Sequence, residues 1–476
     1  MPSASAVEIA VEYWARLKDE REFPLGKRSV LSKAIQNQYK GIEIQNEVAK
    51  NIRLLESDRA FTITTGQQIV TALGPWMVLY KIATAIHLAK KLSNQFPEDH
   101  FVPIFWMATE DHDWPEIAEI KKGDLHVKWE NPSGGAVGRL SSNVMFEALR
   151  QWNLDHPEFL LDEEVLQAYE LNGTLSNATR YLVNHIFGHH GLVVVDGDDS
   201  ALKAMAAPLI NAELSEQKLF HLAQKYNCQN GEIEIKPYNL FHLFPGQRTR
   251  VNTMEEAQEI LSLSDPTQCS PNVALRIFYQ ETILPNLAYI GGPSEQRYWN
   301  QVAPFFKELN IPAPLFVLRE RGVVMPEKWC RKWDALHWDR SFIMNAEVCL
   351  TDALKSKYGS EEVLIDLKEA IEKAYSSHYA AVESEDPTLL NTAKGDCVKA
   401  IQMVDQLEKK IQRSRKRKEE EMVQFAGRWS QHILPKKHLA ERWDYWIFDW
   451  QKNKHIVDVL IENVNAEDPF FKVWTI

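Results

Sequence analysis

The sequence predicts an α/β fold: an open, doubly wound parallel sheet with two β-rich insertions, followed by an α-helical coiled-coil domain. Three observations predict it. Between Phe61 and Asp113, two strand-like runs flank an apolar helical stretch, each run ending in polar residues. Strand and helix patterns then keep alternating to about Leu318, as parallel crossover units require. From about Thr351 the composition shifts to Lys, Glu, Ala and Leu with a seven-residue apolar repeat.

Residues 6–56 read as helices, with Val11, Trp14 and Leu17 at helical spacing and Pro24-Leu-Gly26 as a break. The first strand is expected at Phe61–Thr65, breaking at Gly66 into two amides, Gln67 and Gln68. Gly74-Pro75 opens a helix over Trp76–Leu92, and a second strand, Val102–Met107, leads into Ala108–Trp114. Short β-like pieces (Leu125–Trp129, Ala136–Leu140) around the turn Asn131–Gly135 mark a first insertion over 117–146. Helices are expected from about 162 to 188. Gly191–Asp196 then reads as a strand buried on both faces, and the acidic Gly197-Asp-Asp199 caps a further helical stretch.

A second β-rich insertion is placed at 232–252 around Ile233, Ile235, Leu240 and Phe244, with a helix at 254–263. Leu287–Ile290 and Pro314–Leu318 complete the sheet, separated by a helix that runs to Leu309. The domains expected are a core over 1–350 and a helical coiled-coil domain with its tail over 351–476. In that domain Leu364, Ile371 and His378, then Leu390, Cys397, Val404 and Ile411, recur every seven residues on either side of Asp386-Pro387. Two antiparallel helices fit this pattern, and a seam containing Ala, Cys and His favours pairing with a second chain as a homodimer. The alternative is an intrachain hairpin. The aromatic-rich tail up to Trp450 is expected to pack on the protein.

At 476 residues the chain exceeds a single core of ordinary size. A net charge of −12 disfavours nucleic acid as the main partner. No run of about 18 apolar residues is present, and Met1–Glu8 lacks a basic flank with an apolar stretch, so neither a membrane span nor a secretory signal is expected. A cytoplasmic location is expected. Five scattered cysteines without a CxxC pair suggest reduced thiols and no zinc-thiolate site.

The candidate chemistry lies where the strands end. Gly66-Gln67-Gln68 offers a glycine and two carboxamides suited to a polar ligand. Glu110, His112 and Asp113 are the candidate catalytic groups, as general base, amine anchor or metal site. Gly291, Gly292 and Glu295 would let backbone approach a ligand, and Arg248, Arg250, Arg276 and Arg319 are candidate carboxylate or phosphate clamps. Walker A, GxGxxG, HExxH and GxSxG motifs are absent, Asp196–Asp199 is no calcium loop, and His189-His190 reads as structural. No tightly bound metal is expected.

These residues resemble the bacillithiol-synthesis cysteine-adding enzymes. The matching pieces are Thr64-Thr-Gly-Gln-Gln68, Gly74-Pro75, Tyr80-Lys81 and Phe105–Asp113, then Asn239-Leu-Phe241, Ser270–Val273 with Leu275-Arg276, Ala288–Glu295, and Leu439-Ala-Glu-Arg442. The resemblance implies a Rossmann-like core with two connecting-peptide insertions and a dimerising coiled coil, similar in plan to class I aminoacyl-tRNA synthetases and the mycothiol cysteine ligase. It implies an amide joining the cysteine carboxyl to the amine of glucosaminyl-malate, through an acyl-adenylate made with ATP. The synthetase His-x-Gly-His motif is replaced by Gly66-Gln67-Gln68, and the Lys-Met-Ser-Lys-Ser loop has only Lys355-Ser-Lys357 as a poor counterpart. Gln67, Gln68, Arg248, Arg276, Gly291, Gly292, Glu295 and Arg319 are then expected to bind substrate. Two other readings are a non-catalytic dimeric scaffold for a thiol-biosynthesis enzyme, and a metal-dependent hydrolase using Glu110, His112 and Asp113.

Overall fold

β-Branched and aromatic residues favour a strand at Phe61–Thr65, and in the computed structural model strand β1 extends over Ala60–Gln68. Thr62, Thr64 and Thr65 are fully buried. Their hydroxyls donate to the next strand in space: Thr62 and Thr64 to Asn286 Oδ1 at 3.2 and 2.8 Å, and Thr65 to the Ile290 carbonyl at 2.9 Å. The structure describes residues 3–4, 11–130, 134–263, 265–339, 343–357, 364–465 and 471–475. The Asn131–Ser133 part of the expected turn lies outside them.

β2 (His100–Ala108), β3 (Val193–Asp196), β4 (Asn286–Gly291) and β5 (Leu315–Leu318) join β1 in one parallel sheet. Their spatial order is β5-β4-β1-β2-β3, with the two-residue strand Ser3–Ala4 parallel to β5 at the edge. The chain therefore winds outward from β1 in one direction and from β4 in the other. The crevice beyond the carboxyl ends of β1 and β4 is the switch point where such sheets hold ligands. Helix α1 (Trp76–Gln95) covers the sheet, with Ala85, Leu88, Ala89 and Leu92 packed on Ile63, Phe101, Leu287, Ile290, Leu315 and Val317.

Several boundaries differ from the sequence expectation. β1 does not break at Gly66: Gly66, Gln67 and Gln68 stay in register with Trp106, Met107 and Ala108 of β2. Ala136–Leu140 forms no strand but a 3₁₀ turn at Val137–Arg139. Its amides are spent elsewhere, Val137 N–H on the Asp111 carbonyl and Gly138 N–H on the Thr109 carbonyl. A Cβ at Gly138 would stand 2.5 Å from Thr109 Cβ, so the absent side chain is what permits this approach. The first insertion is the smaller hairpin Glu119–Lys122 with Leu125–Lys128, and a helix already occupies Asn143–Asp155, burying Met145, Leu149 and Trp152.

In the second insertion Ile233 and Ile235 stay outside any strand. The Gln301 side chain takes the place of a ladder there, accepting from Ile233 N–H and donating to its carbonyl. The antiparallel strands are Leu240–Phe244, Gln247–Arg250 and Cys269–Pro271.

The described chain divides into two compact units, Met1–Val323 with Ala440–Trp474, and Val324–Leu439 with Thr475–Ile476. In the first, the tail buries Trp443, Tyr445, Trp446, Phe448 and Trp450. Tyr445 Oη donates to the Glu119 carbonyl and Trp446 Nε1 to the Leu73 carbonyl.

The second unit is helical. Ile365–Ser376 and Tyr379–Glu385 run against a helix over Leu389–Ile433, 45 residues and about 67 Å long. Cys397 and Val404 are buried as the heptads require, whereas Leu367 and Leu407 are 43% and 47% exposed. At that level the crossing is polar instead, with Lys368 Nζ 2.8 Å from Asp405 and 2.7 Å from Glu408. Stacked Trp333 and Trp429, with Trp338 and Phe425, close the other end. Among the described residues no helix is long and apolar enough to cross a membrane.

Candidate active site

A cavity of 570 Å³ lies in the first unit at the β1–β4 switch point, within the usual size of small-ligand sites. Lys81, Arg248, Arg276, Arg319 and Arg442 line it, and so do Glu110, Asp111, Asp113, Glu116 and Glu295. Such a balance suits a ligand carrying both signs of charge.

The apolar helix α1 carries Lys81 into this crevice, buried among Val78, Leu79, Ile82 and Ala85. Its ammonium donates to the Gly66 carbonyl at 2.9 Å and to Gln67 Oε1 at 3.1 Å, and lies 2.7 Å from Glu295 Oε2. Glu295 is on helix α3 (Pro293–Val302), after β4, and its carboxylate also accepts from Gly292 N–H at 2.8 Å and Tyr289 Oη at 3.0 Å. Burial works against the Glu295 charge, but Lys81 and these donors hold the carboxyl below its ordinary value. Burial lowers the Lys81 ammonium despite Glu295. The pair thus ties the two halves of the sheet together across the switch point.

Gly66 has a steric reason, since a Cβ there would meet Tyr289 Oη at 3.3 Å. Gln68 Nε2 donates to Asp111 Oδ2 at 2.7 Å. Burial would raise the Asp111 carboxyl, yet Gln68, Arg248 and the His112 amide hold it low. Arg248, on the second insertion, lies over Phe241 at 3.7 Å and donates to His112 Nδ1 at 2.9 Å. With Nδ1 accepting, the neutral imidazole of half-exposed His112 carries its proton on Nε2. His112 and Gly291 lie outside the cavity lining, as does Arg250, which sits over Phe241 at 4.5 Å. Asp113 lines the cavity and precedes a short helix without capping it through its side chain.

Glu110 is buried at the β2 end of the cavity. Its Oε1 lies 2.6 Å from the ammonium of Lys203 on helix α2 (Ser200–Met205), which is capped by Asp199. Burial pushes the Glu110 carboxyl up to about 7, with Asp198 adding to the rise and Lys203 opposing it. A carboxyl so poised can take up and release a proton near neutrality.

Arg319 is engaged in a buried pair with Glu441, Nη2 to Oε1 at 2.8 Å. Arg276 Nη1 donates to Gln280 Oε1 at 3.3 Å, and Arg442 meets Ser294 Oγ at 3.5 Å. Among the described residues neither Arg276 nor Arg442 has a carboxylate within ion-pair distance, although Arg276 also interacts with the side chains of Tyr289 and Tyr298 and with the charge of Glu295.

The sequence reading of the site omitted Lys81, Lys203, Tyr289, Tyr298 and Arg442. Lys81 carries a usable signal, a lysine inside the apolar run Trp76–Ile86, whereas Lys203 in Ser200-Ala-Leu-Lys-Ala-Met205 has none. Away from the cavity, His189, His190 and Asp458 stand close enough to hold a metal ion, and are the one such group among the described residues. Both imidazoles already contact Asp458, and Lys90 Nζ sits 3.1 Å from His190 Nδ1, where a ligating histidine would want an acceptor. Glu110, His112 and Asp113 form no such group.

A parallel sheet of this order, with a charge-balanced polar cavity at its switch point, defines a Rossmann-like enzyme domain. Comparison with known proteins narrows the class. Residues 7–320 match the family model described as the N-terminal Rossmann-like domain of bacillithiol biosynthesis BshC, and residues 329–476 its C-terminal coiled-coil domain. Proteins named "Putative cysteine ligase BshC" from Flavobacterium johnsoniae and Flavobacterium psychrophilum are 31% and 34% identical to this chain. The matches cover 94% of this chain and 89% of the first relative, and 87% and 83% for the second. One from Cytophaga hutchinsonii is 31% identical over 93% of this chain and 86% of its own length. The chain belongs to the BshC family and is a ligase.

Proposed function

We propose that this ligase joins the carboxyl of cysteine to the amine of glucosaminyl-malate, giving the amide of bacillithiol. The observation that supports this reading best is the division of charge in the cavity: a protonatable Glu110 with Asp113 and Glu116 toward β2, and Arg276 and Arg442 toward β4 and the tail, neither ion-paired to a carboxylate among the described residues. A dicarboxylate matches two guanidinium groups, each able to bind a carboxylate through paired N–H donors. Asp113 and Glu116 would attract the cysteine ammonium. Glu110 would take the proton from the sugar amine as its nitrogen attacks the acyl carbon, the C–N bond forming while the carboxyl's activating group departs.

ATP is the co-substrate the family resemblance implies, and it would supply the energy that activates the cysteine carboxyl. Two of the groups placed to meet its phosphates are already engaged. Lys81 and the N-terminus of α3, which would face phosphates beyond β1 and β4, are both taken up by Glu295. No residue is assigned to the nucleotide. We place the reaction in the cytoplasm and pair two chains through the coiled coil, where Leu367, Met403 and Leu407 stand exposed.

Complementation tests the reading. In cells lacking the gene, the wild-type chain should restore bacillithiol and Glu110→Gln at equal protein level should not. Full restoration by Glu110→Gln, with loss only when the Leu389–Ile433 helix is broken, would overturn it in favour of a scaffold.

A further inference from the structure

Lys203 occupies a costly position for a charge. Its side chain is 1% exposed, and several kcal/mol is the usual penalty for an unpaired buried ion. Its ammonium lies 2.6 Å from Glu110 Oε1 and 2.6 Å from Asp198 Oδ1, and its remaining donor reaches the Thr267 carbonyl at 3.3 Å. Asp198 is held from its other side by Arg139, whose Nε and Nη2 donate to its two oxygens at 2.6 and 2.8 Å. The row Arg139–Asp198–Lys203–Glu110 therefore alternates in sign and ends at the cavity. Of the two carboxylates on Lys203, Glu110 alone lines that cavity. Asp198, with Arg139 bound to it, is committed to its charge.

We propose that Lys203 is a positioning residue for the ligase reaction: it fixes Glu110 at the cavity wall and sets the pH at which Glu110 becomes a base. The proposal rests on the reading of Glu110 as the proton acceptor. Besides Lys203, the groups facing Glu110 are Asp198, which disfavours its charge, Arg248 and Arg139, which favour it, and the neutral Tyr279 and Cys269. Lys203 is the cation in direct contact. Without it Glu110 and Asp198 would confront each other as like charges in a buried site, and the proton on Glu110 would be retained to higher pH.

The test is an infrared titration of the full-length protein. The protonated-carboxyl band of Glu110 is assigned by its loss in Glu110→Gln, and its midpoint is followed in wild type, Lys203→Arg, Lys203→Met and Lys203→Gln. The wild-type midpoint is expected near 7. Loss of the charge in Lys203→Met should raise it by about one to three pH units, with Lys203→Arg close to wild type. The alkaline rise of kcat/KM should move with it. Lys203→Gln, which keeps a polar group, gives the same comparison if the methionine variant does not fold. An unmoved midpoint in a folded neutral variant overturns the proposal, whatever happens to the rate. A moved midpoint together with full ligase activity in Glu110→Gln supports the electrostatic role of Lys203 and overturns Glu110 as the base. The two failures are therefore distinguishable.

Discussion

Glu110 carries the sharpest chemical expectation at the scale of single residues. General acid–base groups contribute about 100- to 10,000-fold to rate, so Glu110→Gln should lower kcat within that range in a steady-state assay and abolish the rise in rate through about pH 7. The same carboxyl binds its proton more tightly in the folded protein than in an unfolded chain. Folding is therefore opposed as pH rises from about 4.5 to about 7, because the native state holds the proton the unfolded state has released. Thermal midpoints measured across that window should fall less steeply for Glu110→Gln than for wild type. Arg442 gives a binding prediction. Arg442→Ala should raise KM for the malate-bearing substrate by about 10- to 100-fold, the weight of a charge-assisted hydrogen bond, and leave KM for cysteine near its wild-type value.

At the scale of elements, the switch point is held by buried charge as well as by the sheet. Arg319 at the end of β5 and Glu441 in the tail are each 1% exposed at the side chain and contact each other at 2.8 Å. Glu441→Ala would leave a buried guanidinium unpaired, and a loss of about 3–5 kcal/mol should appear in equilibrium denaturation. This pairing shows why part of the site was hidden in the sequence. Arg319 reads as a ligand clamp when only its place after a strand is known, because its partner lies more than a hundred residues away. The strands themselves were legible because Phe61–Thr65, Val102–Met107 and Gly191–Asp196 are apolar or β-branched runs bounded by turn residues. The extension of β1 through Gln68 was not, because it depends on the register with Trp106–Ala108 of β2 and not on local propensity. Lys203 was hidden for a similar reason, as only the packing of α2 brings it to Glu110.

For the whole molecule, the coiled-coil heptads were readable to the extent that Cys397 and Val404 are buried, while Leu407, three residues beyond Val404, remains 47% exposed. Exposed apolar side chains in a long helical hairpin are what a second copy would cover. Sedimentation of the full-length chain should therefore give twice the chain mass, and Leu407→Glu combined with Met403→Glu should shift it toward the monomer without loss of helical circular dichroism. A dimer that survives both substitutions would place the contact elsewhere.

Amide formation itself decides the central claim. Purified full-length protein, incubated with cysteine, glucosaminyl-malate and ATP, should yield by mass spectrometry a product equal to the two substrates less one water. The product should be absent without either substrate and strongly reduced with Glu110→Gln. Failure to form that amide, with folded protein and every nucleotide tried, would contradict the ligase reading of the cavity.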